Sequence, residues 1–293
     1  MAGYRTVTLP AFAKVNLTLD VRERLPDGYH LVQTVIQQIS LADEVSVRLS
    51  DDEGISLECS EPSIPTGSNN LAWRAAEAFF GRLGEVPRVH ISLLKRIPAQ
   101  AGLGGGSSNA AAVLRALNIL YGKPFSVREL QPIARSLGSD VSFFLHGGTA
   151  LVQGIGEQVT PLPTPAVYPL VVAVPPISIS TAWAYGRIDA ERTAAGLVEL
   201  PPPRTPAMAH VLQEGRSWLP LLHNDFEEVV MPEFPEVHTV KLYMMSHGAL
   251  AAVLCGSGSG VMGVYTEEHE AHRVLLQLRR RGNRAWLCRF SWQ

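Results

Sequence analysis

The alternation of hydrophobic and polar positions predicts strands at the start of the chain and helices after them. Apolar and polar residues alternate along Tyr4–Leu9 and Ala13–Arg22, the period-two pattern of a strand with one buried face. Along Asn70–Leu83 the apolar residues recur at the spacing of a helix buried on one side. Further strands are predicted at Thr34–Ile39 and Glu44–Leu49, separated by the polar Ser40–Asp43, and at Arg88–Leu94 and Gly147–Val152; further helices are predicted at Ser108–Leu120 and Ser126–Leu137.

The second half of the chain mixes strands and helices without regular alternation. Pro161–Pro165 is rich in proline and indicates a linker, and the three prolines from Pro201 exclude regular structure there. Because no βαβ rhythm is present, we predict the α+β fold class. The elements predicted here are strands at Leu170–Val174, Gly248–Leu254, Val261–Tyr265 and Arg284–Phe290, and helices at Pro206–Gln213, Phe226–Met231, Glu236–Ser246 and Glu267–Arg281.

A glycine-rich segment, Pro98–Ala112, lies between a predicted strand and a predicted helix. Its glycines allow the backbone to approach a ligand closely, and the first amides of the helix have no intrahelical partner. The helix dipole adds partial positive charge at the same place, so the segment predicts an anion site, with phosphate as the expected anion. Ser107 or Ser108 is the predicted N-cap. The glycines are Gly102, Gly104, Gly105 and Gly106.

The spacing of these glycines excludes the two commonest phosphate loops. A P-loop requires a lysine after its last glycine, and none follows Gly106. A dinucleotide fingerprint requires a third glycine where Ser107 or Asn109 stands, depending on the starting glycine. A tight strand-to-helix turn without a ligand is the alternative, although four glycines cost much backbone entropy for a simple turn.

Composition and charge narrow the classes of protein further. The chain has 293 residues, a length sufficient for two domains or one large domain. Of these residues 46% are hydrophobic, a share that indicates a well-buried protein. A net charge of −2, with no basic cluster larger than Arg279–Arg281, does not indicate a nucleic-acid partner. The three widely spaced cysteines indicate a reducing compartment and no zinc site, and no apolar run reaches membrane length. We therefore expect a cytoplasmic protein.

Two charged residues stand at positions where each has two interpretations. Lys14 lies mid-strand among alternating apolar residues, so it is either an edge charge facing water or a buried cation that awaits phosphate or carboxylate. Asn16, two residues on, shares its face of the strand. Asp140 follows a predicted helix end and is either a cap or turn residue, or a half-buried carboxylate that acts as a base or metal ligand.

Two turn-like segments also have structural and functional interpretations. Asp27-Gly28 is a strong turn signal, and Tyr29 and His30 after it are either ordinary core and surface residues or a pair that lines a pocket by stacking and hydrogen bonding. A second glycine loop, Gly256–Gly260, is either a flexible hairpin or a second wall around a charged ligand. The nine histidines show no metal-ligand spacing.

Taken together, these segments resemble the GHMP kinase superfamily, and the resemblance covers nearly the whole chain. The glycine loop alone is typical of the superfamily, whereas the other motifs narrow the choice within it. The motifs, in order, are AKVNLTLDV at Ala13–Val21, DGYH at Asp27–His30, PAQAGLGGGSSNAA at Pro98–Ala111, GSDVSFFL at Gly138–Leu145 and CGSGSG at Cys255–Gly260.

The resemblance implies a fold and an activity. It implies a ribosomal-protein-S5-type N-terminal domain over residues 1–163 and a ferredoxin-like C-terminal domain over residues 164–293. It implies a kinase that uses ATP and Mg²⁺ to phosphorylate the 2-hydroxyl of a cytidine diphosphate-linked methylerythritol, on the non-mevalonate route to isoprenoid precursors. The alternatives are a homoserine or mevalonate type of kinase and a non-catalytic nucleotide or sugar sensor. We expect a small-molecule substrate, no nucleic-acid or membrane partner, and a monomer or homodimer.

The same resemblance implies roles for individual residues. Asp140 would be the general base, with Lys14 beside it, and Asn16, Tyr29 and His30 would bind the substrate. The family that these motifs resemble usually has Met-Gly where this chain has Ala99-Gln100. Ser107 or Ser108 would offer a hydroxyl to Mg²⁺. The residues implied to bind ATP are Asn70, Lys95, Pro98, Gly102, Leu103, Gly104, Gly105, Gly106, Ser107 and Ser108.

Overall fold

The computed structural model describes residues 5–197 and 199–292, so Tyr4, at the start of the first predicted strand, lies outside the described residues. The chain forms two compact units whose segments alternate along the sequence. The first unit holds the chain up to Ala13, Leu41–Ile97 and Gly104–Gly147. The second unit holds Lys14–Ser40, Pro98–Leu103 and the chain from Gly148 onward.

The first two strands are longer than the sequence pattern predicts. Strand β1 covers Thr6–Arg24 and β2 covers His30–Leu49, so each joins two predicted strands into one. The polar Ser40–Asp43, predicted to separate two strands, continues β2 instead. Pairing with neighbouring strands overrides the local polarity here, because strand formation depends on context more than on intrinsic preference.

The first unit packs four helices with part of a larger β-sheet. In the sheet, the C-terminal part of β2 pairs antiparallel with β4 (Arg88–Leu94), and β4 pairs parallel with β3 (Gly54–Cys59). Helix α1 packs on α2, and α2 and α3 both pack on α4. The helices are α1 (Leu71–Leu83), α2 (Gly105–Leu120), α3 (Val127–Leu137) and α4 (Ser139–His146).

Helix α4 is absent from the sequence prediction. It begins immediately after α3, with only Gly138 between the two helices. Gly138 is the cap residue at the junction and provides no side-chain cap bond, so the usual polar start signal is missing. The buried face of α4 includes Val141, Phe143 and Phe144.

The second unit contains a four-stranded antiparallel sheet in the order β11-β7-β10-β9. Helix α8 packs on β9 and β10, and α9 packs on β7 and β11. The strand predicted at Leu170–Val174 is confirmed as β7 and is buried throughout. The bounds are β7 (Leu170–Val174), α5 (Thr181–Ala194), α6 (Thr205–Gln213), a 3₁₀ turn (Leu219–Leu221), β8 (His223–Asn224), α7 (Glu227–Glu233), α8 (Pro235–Ser246), β9 (Ala251–Leu254), β10 (Val261–Val264), α9 (Glu268–Arg280) and β11 (Arg284–Cys288).

The same unit also contains pairings made by the first two strands. The N-terminal part of β2 pairs with β5 (Thr149–Gln153), and β5 pairs with β6 (Gln158–Leu162). β1 pairs in parallel with β8 through Thr18 and Leu19. The predicted linker at Pro161–Pro165 therefore begins inside a strand. Pro161 is tolerated because, among the described residues, β6 pairs with β5 alone and is an edge strand. Within the described ranges, no helix is long and apolar enough to cross a membrane.

The start of α3 gives a test of the local folding rules. Ser126 accepts a hydrogen bond from the Glu129 amide, and the Glu129 side chain accepts one from the Ser126 amide, which forms a capping box. We expect Ser126→Ala to lower the free energy of unfolding by about 1 kcal/mol. Urea denaturation measures this change. Ser68→Ala, in an exposed turn, is the control, and equal effects of both substitutions would contradict the prediction.

Candidate functional site

The first glycine loop delivers the backbone directly into helix α2. The helix begins at Gly105, and its cap residue is Gly104, in the left-handed conformation with φ of 71°. The predicted serine N-cap is therefore wrong: Ser107 and Ser108 lie inside the first turn, and the Ser108 amide donates to the Gly104 carbonyl at 2.9 Å. A glycine in this conformation turns the chain without a side chain. The amides of the first turn are thus presented at a bare helix N-terminus.

The two glycine loops pack backbone against backbone within the second unit. Gly102 has φ of 73°, and a Cβ at this residue would lie 1.7 Å from the carbonyl oxygen of Cys255. The Gly260 amide donates to the Ala101 carbonyl at 3.2 Å. A Cβ on Gly256 would lie 3.1 Å from the Gly102 Cα. The CGSGSG segment is therefore a packed wall, which contradicts the flexible-hairpin alternative.

Lys14 is a buried cation beside this wall. Its residue exposure is 5%, which contradicts the water-facing alternative. The Lys14 Nζ donates to Asn16 Oδ1 at 2.7 Å, and a Cβ on Gly256 would lie 3.3 Å from that Nζ. Among the described residues of its own unit, no carboxylate forms an ion pair with Lys14. A buried ammonium with a neutral partner favours the approach of an anion.

Both polar atoms of the Asn16 side-chain amide have hydrogen-bond partners within the protein. Its Oδ1 accepts from Lys14 Nζ and, at 3.1 Å, from the Gly256 amide, and its Nδ2 donates to Thr34 Oγ1 at 2.8 Å. Asn224 also holds this loop, by donating to the carbonyls of Leu254 and Gly256 at 2.9 and 2.8 Å. Asn16 thus links Lys14 to the second glycine loop, and its role as a substrate contact stays a prediction.

Cys255 opens the second glycine loop with a thiol that stays protonated near neutral pH. The residue is fully buried, and burial raises the pKa of its thiol to about 12, although the charge of Lys14 opposes this shift. The thiol therefore packs as an apolar group. We assign it no nucleophilic role.

His30 lies against helix α5, which the sequence pattern did not predict. Its ring stacks on Tyr185 with centroids 4.7 Å apart, and its Nε2 lies 2.8 Å from Asp189 Oδ1. Tyr29, the preceding residue, is 62% exposed. The structure thus brings His30 to two residues, Tyr185 and Asp189, that sequence reasoning missed. Ser180, which caps α5 by accepting from the Trp183 amide, is the signal that could have found this helix.

Asp140 lies in the first turn of α4 and is half-buried. The cap residue of this helix is Gly138, so the interpretation of Asp140 as an N-cap is wrong. Asp140 belongs to the first unit and Lys14 to the second, and the pairing of the two implied by the resemblance stays a prediction.

Lys95 and Asn70, both implied to lie near ATP, are engaged inside the first unit. The Lys95 ammonium forms an ion pair with the buried Asp43 and donates to Asn109 Oδ1 at 2.8 Å. Asn70 caps α1 by accepting from the Ala72 amide at 2.8 Å. Their contacts with a nucleotide stay predictions. Pro98 and Leu103 are buried, whereas Gly106 is exposed.

A cluster of Asp20, His223 and Asp225 has ligand atoms within 4.8 Å of one another. All four carboxylate oxygens already have protein donors. Asp20 accepts from the amides of Arg204 and Thr205, and Asp225 accepts from the Val21 amide and lies 2.6 Å from His223 Nε2. The cluster is therefore a structural junction within the second unit.

Comparisons with known proteins agree with the geometry. The family model described as "GHMP kinases N terminal domain" matches residues 70–148, and the one described as "GHMP kinases C terminal" matches residues 208–284. The 4-diphosphocytidyl-2-C-methyl-D-erythritol kinase of Geobacter sulfurreducens is 39% identical over 94% of this chain and 96% of its own length. The kinase of the same name from Desulfitobacterium hafniense is 40% identical over 96% and 94%.

Solved structures extend this likeness to the fold. A crystal structure of 4-(cytidine 5'-diphospho)-2C-methyl-D-erythritol kinase matches with a TM-score of 0.80 and 35% identity, covering 97% of this chain and all of that one. Homoserine kinase from Cytophaga hutchinsonii matches with a TM-score of 0.75 and 19% identity over 100% and 96% of the two chains, a likeness of fold alone. The predicted α+β, two-domain kinase fold is confirmed. The chain belongs to the GHMP kinase family, within its group of 4-diphosphocytidyl-2-C-methyl-D-erythritol kinases.

Proposed function

We propose that this GHMP kinase transfers the γ-phosphoryl group of ATP to the 2-hydroxyl of 4-diphosphocytidyl-2-C-methyl-D-erythritol and releases ADP. The observation that carries the proposal is the packed pair of glycine loops beside the buried Lys14. The substrate follows from relatives of that name, which match at 38–40% identity over more than nine-tenths of the chain. The product would enter the non-mevalonate route to isoprenoid precursors.

The phosphates of ATP are proposed to bind at the start of α2. The first-turn amides and the helix dipole stabilise negative charge there without any side chain. Mg²⁺ bound with ATP neutralises charge on the phosphate oxygens. Of the two serines, Ser107 is partly exposed and Ser108 is 3% exposed, so Ser107 is the residue whose oxygen fits a hard cation.

The acceptor hydroxyl is proposed to lose its proton to Asp140. An alcohol is a weak nucleophile near neutral pH, so a carboxylate that takes the proton during transfer accelerates the reaction. Lys14 is proposed to stabilise the negative charge that develops on the transferring group, because among the described residues of its unit the ammonium pairs with the neutral Asn16 and with no carboxylate. Asn16 is proposed to aim that ammonium.

The cytidine end of the substrate is proposed to bind near His30. The exposed ring of Tyr29 offers a flat apolar face with a polar edge, as a pyrimidine requires, and the next residue, His30, is held by its stacking on Tyr185.

We further propose that the two domains divide near residue 163, because the two matched family segments, 70–148 and 208–284, lie on either side of it.

Replacement of Asp140 tests the proposed base. We expect Asp140→Asn to lower kcat by about 10²- to 10⁴-fold and to leave the KM for ATP nearly unchanged, because the amide keeps the shape but cannot take the proton. A coupled assay of ADP release measures both. The control is Glu77→Gln on the exposed side of α1. Turnover of Asp140→Asn close to that of the control would remove Asp140 from the mechanism.

Replacement of Lys14 separates catalysis from stability. Because the ammonium is buried beside a neutral partner, Lys14→Met is expected to leave the free energy of unfolding unchanged or higher. The same change is expected to lower kcat by at least about 100-fold. Thermal unfolding and the ADP assay are run together, with the exposed Lys123→Met as the control. A variant that keeps full turnover would show that Lys14 is only a packed residue.

A panel of acceptors tests the proposed substrate. With 4-diphosphocytidyl-2-C-methyl-D-erythritol we expect ADP release at a kcat/KM at least about 10⁴-fold above that for homoserine or mevalonate, since a site built to hydrogen-bond one ligand rejects those that leave its polar groups unpaired. ADP release with homoserine or mevalonate alone would replace the proposal by another kinase activity. ATP binding without ADP release on any acceptor would favour a sensor.

A further inference from the structure

Asp43 is a fully buried carboxylate to which sequence reasoning assigned no function. Its side chain is 0% exposed. Each of its two oxygens accepts hydrogen bonds from its own pair of donors. Oδ1 accepts from the amides of Arg96 and Ile97 at 2.6 and 2.8 Å. Oδ2 accepts from Asn109 Nδ2 at 2.9 Å and pairs with the Lys95 ammonium. Four donors therefore converge on one carboxylate inside the first unit.

These partners stand on both sides of the first glycine loop in the chain. Arg96 and Ile97 are the last residues before Pro98, and Asn109 lies in the first turns of α2, after the loop. Lys95 completes the arrangement, since its Nζ also donates to Asn109 Oδ1 at 2.8 Å. Asp43 thus joins the chain that enters the loop to the helix that leaves it.

The space around these groups is closed at Gly105, the first residue of α2. A Cβ added there would lie 2.9 Å from Ile97 Cγ2 and 3.4 Å from Lys95 Nζ. A side chain at Gly105 would therefore collide with Ile97, so the first helical turn packs closely against the residues that Asp43 holds. A shift of the Asp43 partners would move the first-turn amides themselves.

A buried ion pair is a poor source of stability, because desolvation offsets most of its attraction. Its value lies in fixing one geometry, and here that geometry is the position of a helix N-terminus. We infer that Asp43, with Asn109, is a positioning residue for the phosphate-binding amides of α2, and that Lys95 acts through Asp43 rather than by touching the nucleotide. This inference rests on the proposed function, since it takes ATP to be the ligand of that helix start.

Asp43→Asn is a precise disruption of this arrangement. The amide oxygen can still accept from Arg96 and Ile97, whereas the new NH₂ group faces the donors of Asn109 and Lys95. We expect the Kd of magnesium AMP-PNP and the KM for ATP to rise about tenfold to a hundredfold, with a smaller change in kcat, because small displacements of binding groups cost that much. Isothermal titration and the ADP assay measure these constants.

The exchange variant Asp43→Asn with Asn109→Asp is the rescue. It puts the carboxylate at 109 and the amide at 43, so the link across the loop and the pair with Lys95 can both re-form. We expect its Kd for magnesium AMP-PNP to lie within about threefold of the wild-type value, because effects of contacting residues are non-additive. Affinity that stays as weak as in Asp43→Asn would overturn the positioning role.

The role of Lys95 is tested by a double-mutant cycle. Lys95→Met leaves Asp43 buried and unpaired, whereas Lys95→Met with Asp43→Asn removes both charges. The double variant is compared with Lys95→Met and Asp43→Asn alone. If Lys95 acts through Asp43, the Kd of the double variant for magnesium AMP-PNP is no higher than the higher Kd of these two single variants. If Lys95 touches the nucleotide, its loss adds to that of Asp43→Asn, and the inference fails.

Two further outcomes keep this inference separate from the proposed function. Binding is measured without an acceptor, so nucleotide affinity that follows the Asp43 variants supports the inference even if the acceptor panel fails. Conversely, a lowered melting temperature of Asp43→Asn with unchanged Kd and KM for ATP would make Asp43 a structural residue only, with the kinase assignment intact. Wild-type affinity in Asp43→Asn, at an unchanged melting temperature, would overturn the inference outright.

Discussion

The contact between the two glycine loops is the constraint on which the second unit's functional residues depend. Gly102 and Cys255 are more than 150 residues apart, yet their backbones approach so closely that no side chain fits between them. Asn16 and Asn224 both hydrogen-bond the backbone of the Cys255–Gly260 loop at Gly256. Because Lys14 is bonded to Asn16, the position of its ammonium follows from that of the loop. Backbone packing thus determines where a catalytic charge is proposed to stand.

Two lysines with buried side chains, Lys95 and Lys14, differ in the charge of their partners. Lys95 has an acidic partner, and its charge is neutralised within the first unit. Lys14 has an amide partner, and among the described residues of its own unit it has no acidic one. Desolvation makes the second arrangement costly, and such a cost is typical of a functional site rather than of a folding core. The partner, rather than burial alone, distinguishes a binding cation from a structural one.

Short motifs such as the glycine loop predicted the family, whereas hydrophobic periodicity predicted only individual helices and strands. The loop at Gly102–Gly106 excluded two common nucleotide folds by spacing, and the family that its neighbours implied is confirmed. Periodicity found most long helices but missed α4, which has no polar start signal, and α5, whose buried face is narrow. The serine cap was wrong because a left-handed Gly104 ends the loop without side-chain help. Partners distant in sequence, such as Asp43 with Lys95, leave no local pattern at all.

The state of the thiols has a practical consequence. Cys255 and Cys288 are buried, and the pKa of Cys255 lies far above neutral, whereas Cys59 at the end of β3 is partly exposed. Thiol reagents react with accessible thiolates, so a maleimide dye should attach selectively at Cys59 in the folded protein. The wild-type sequence therefore carries its own single attachment point for a fluorophore, and no cysteine needs to be removed before the protein is labelled.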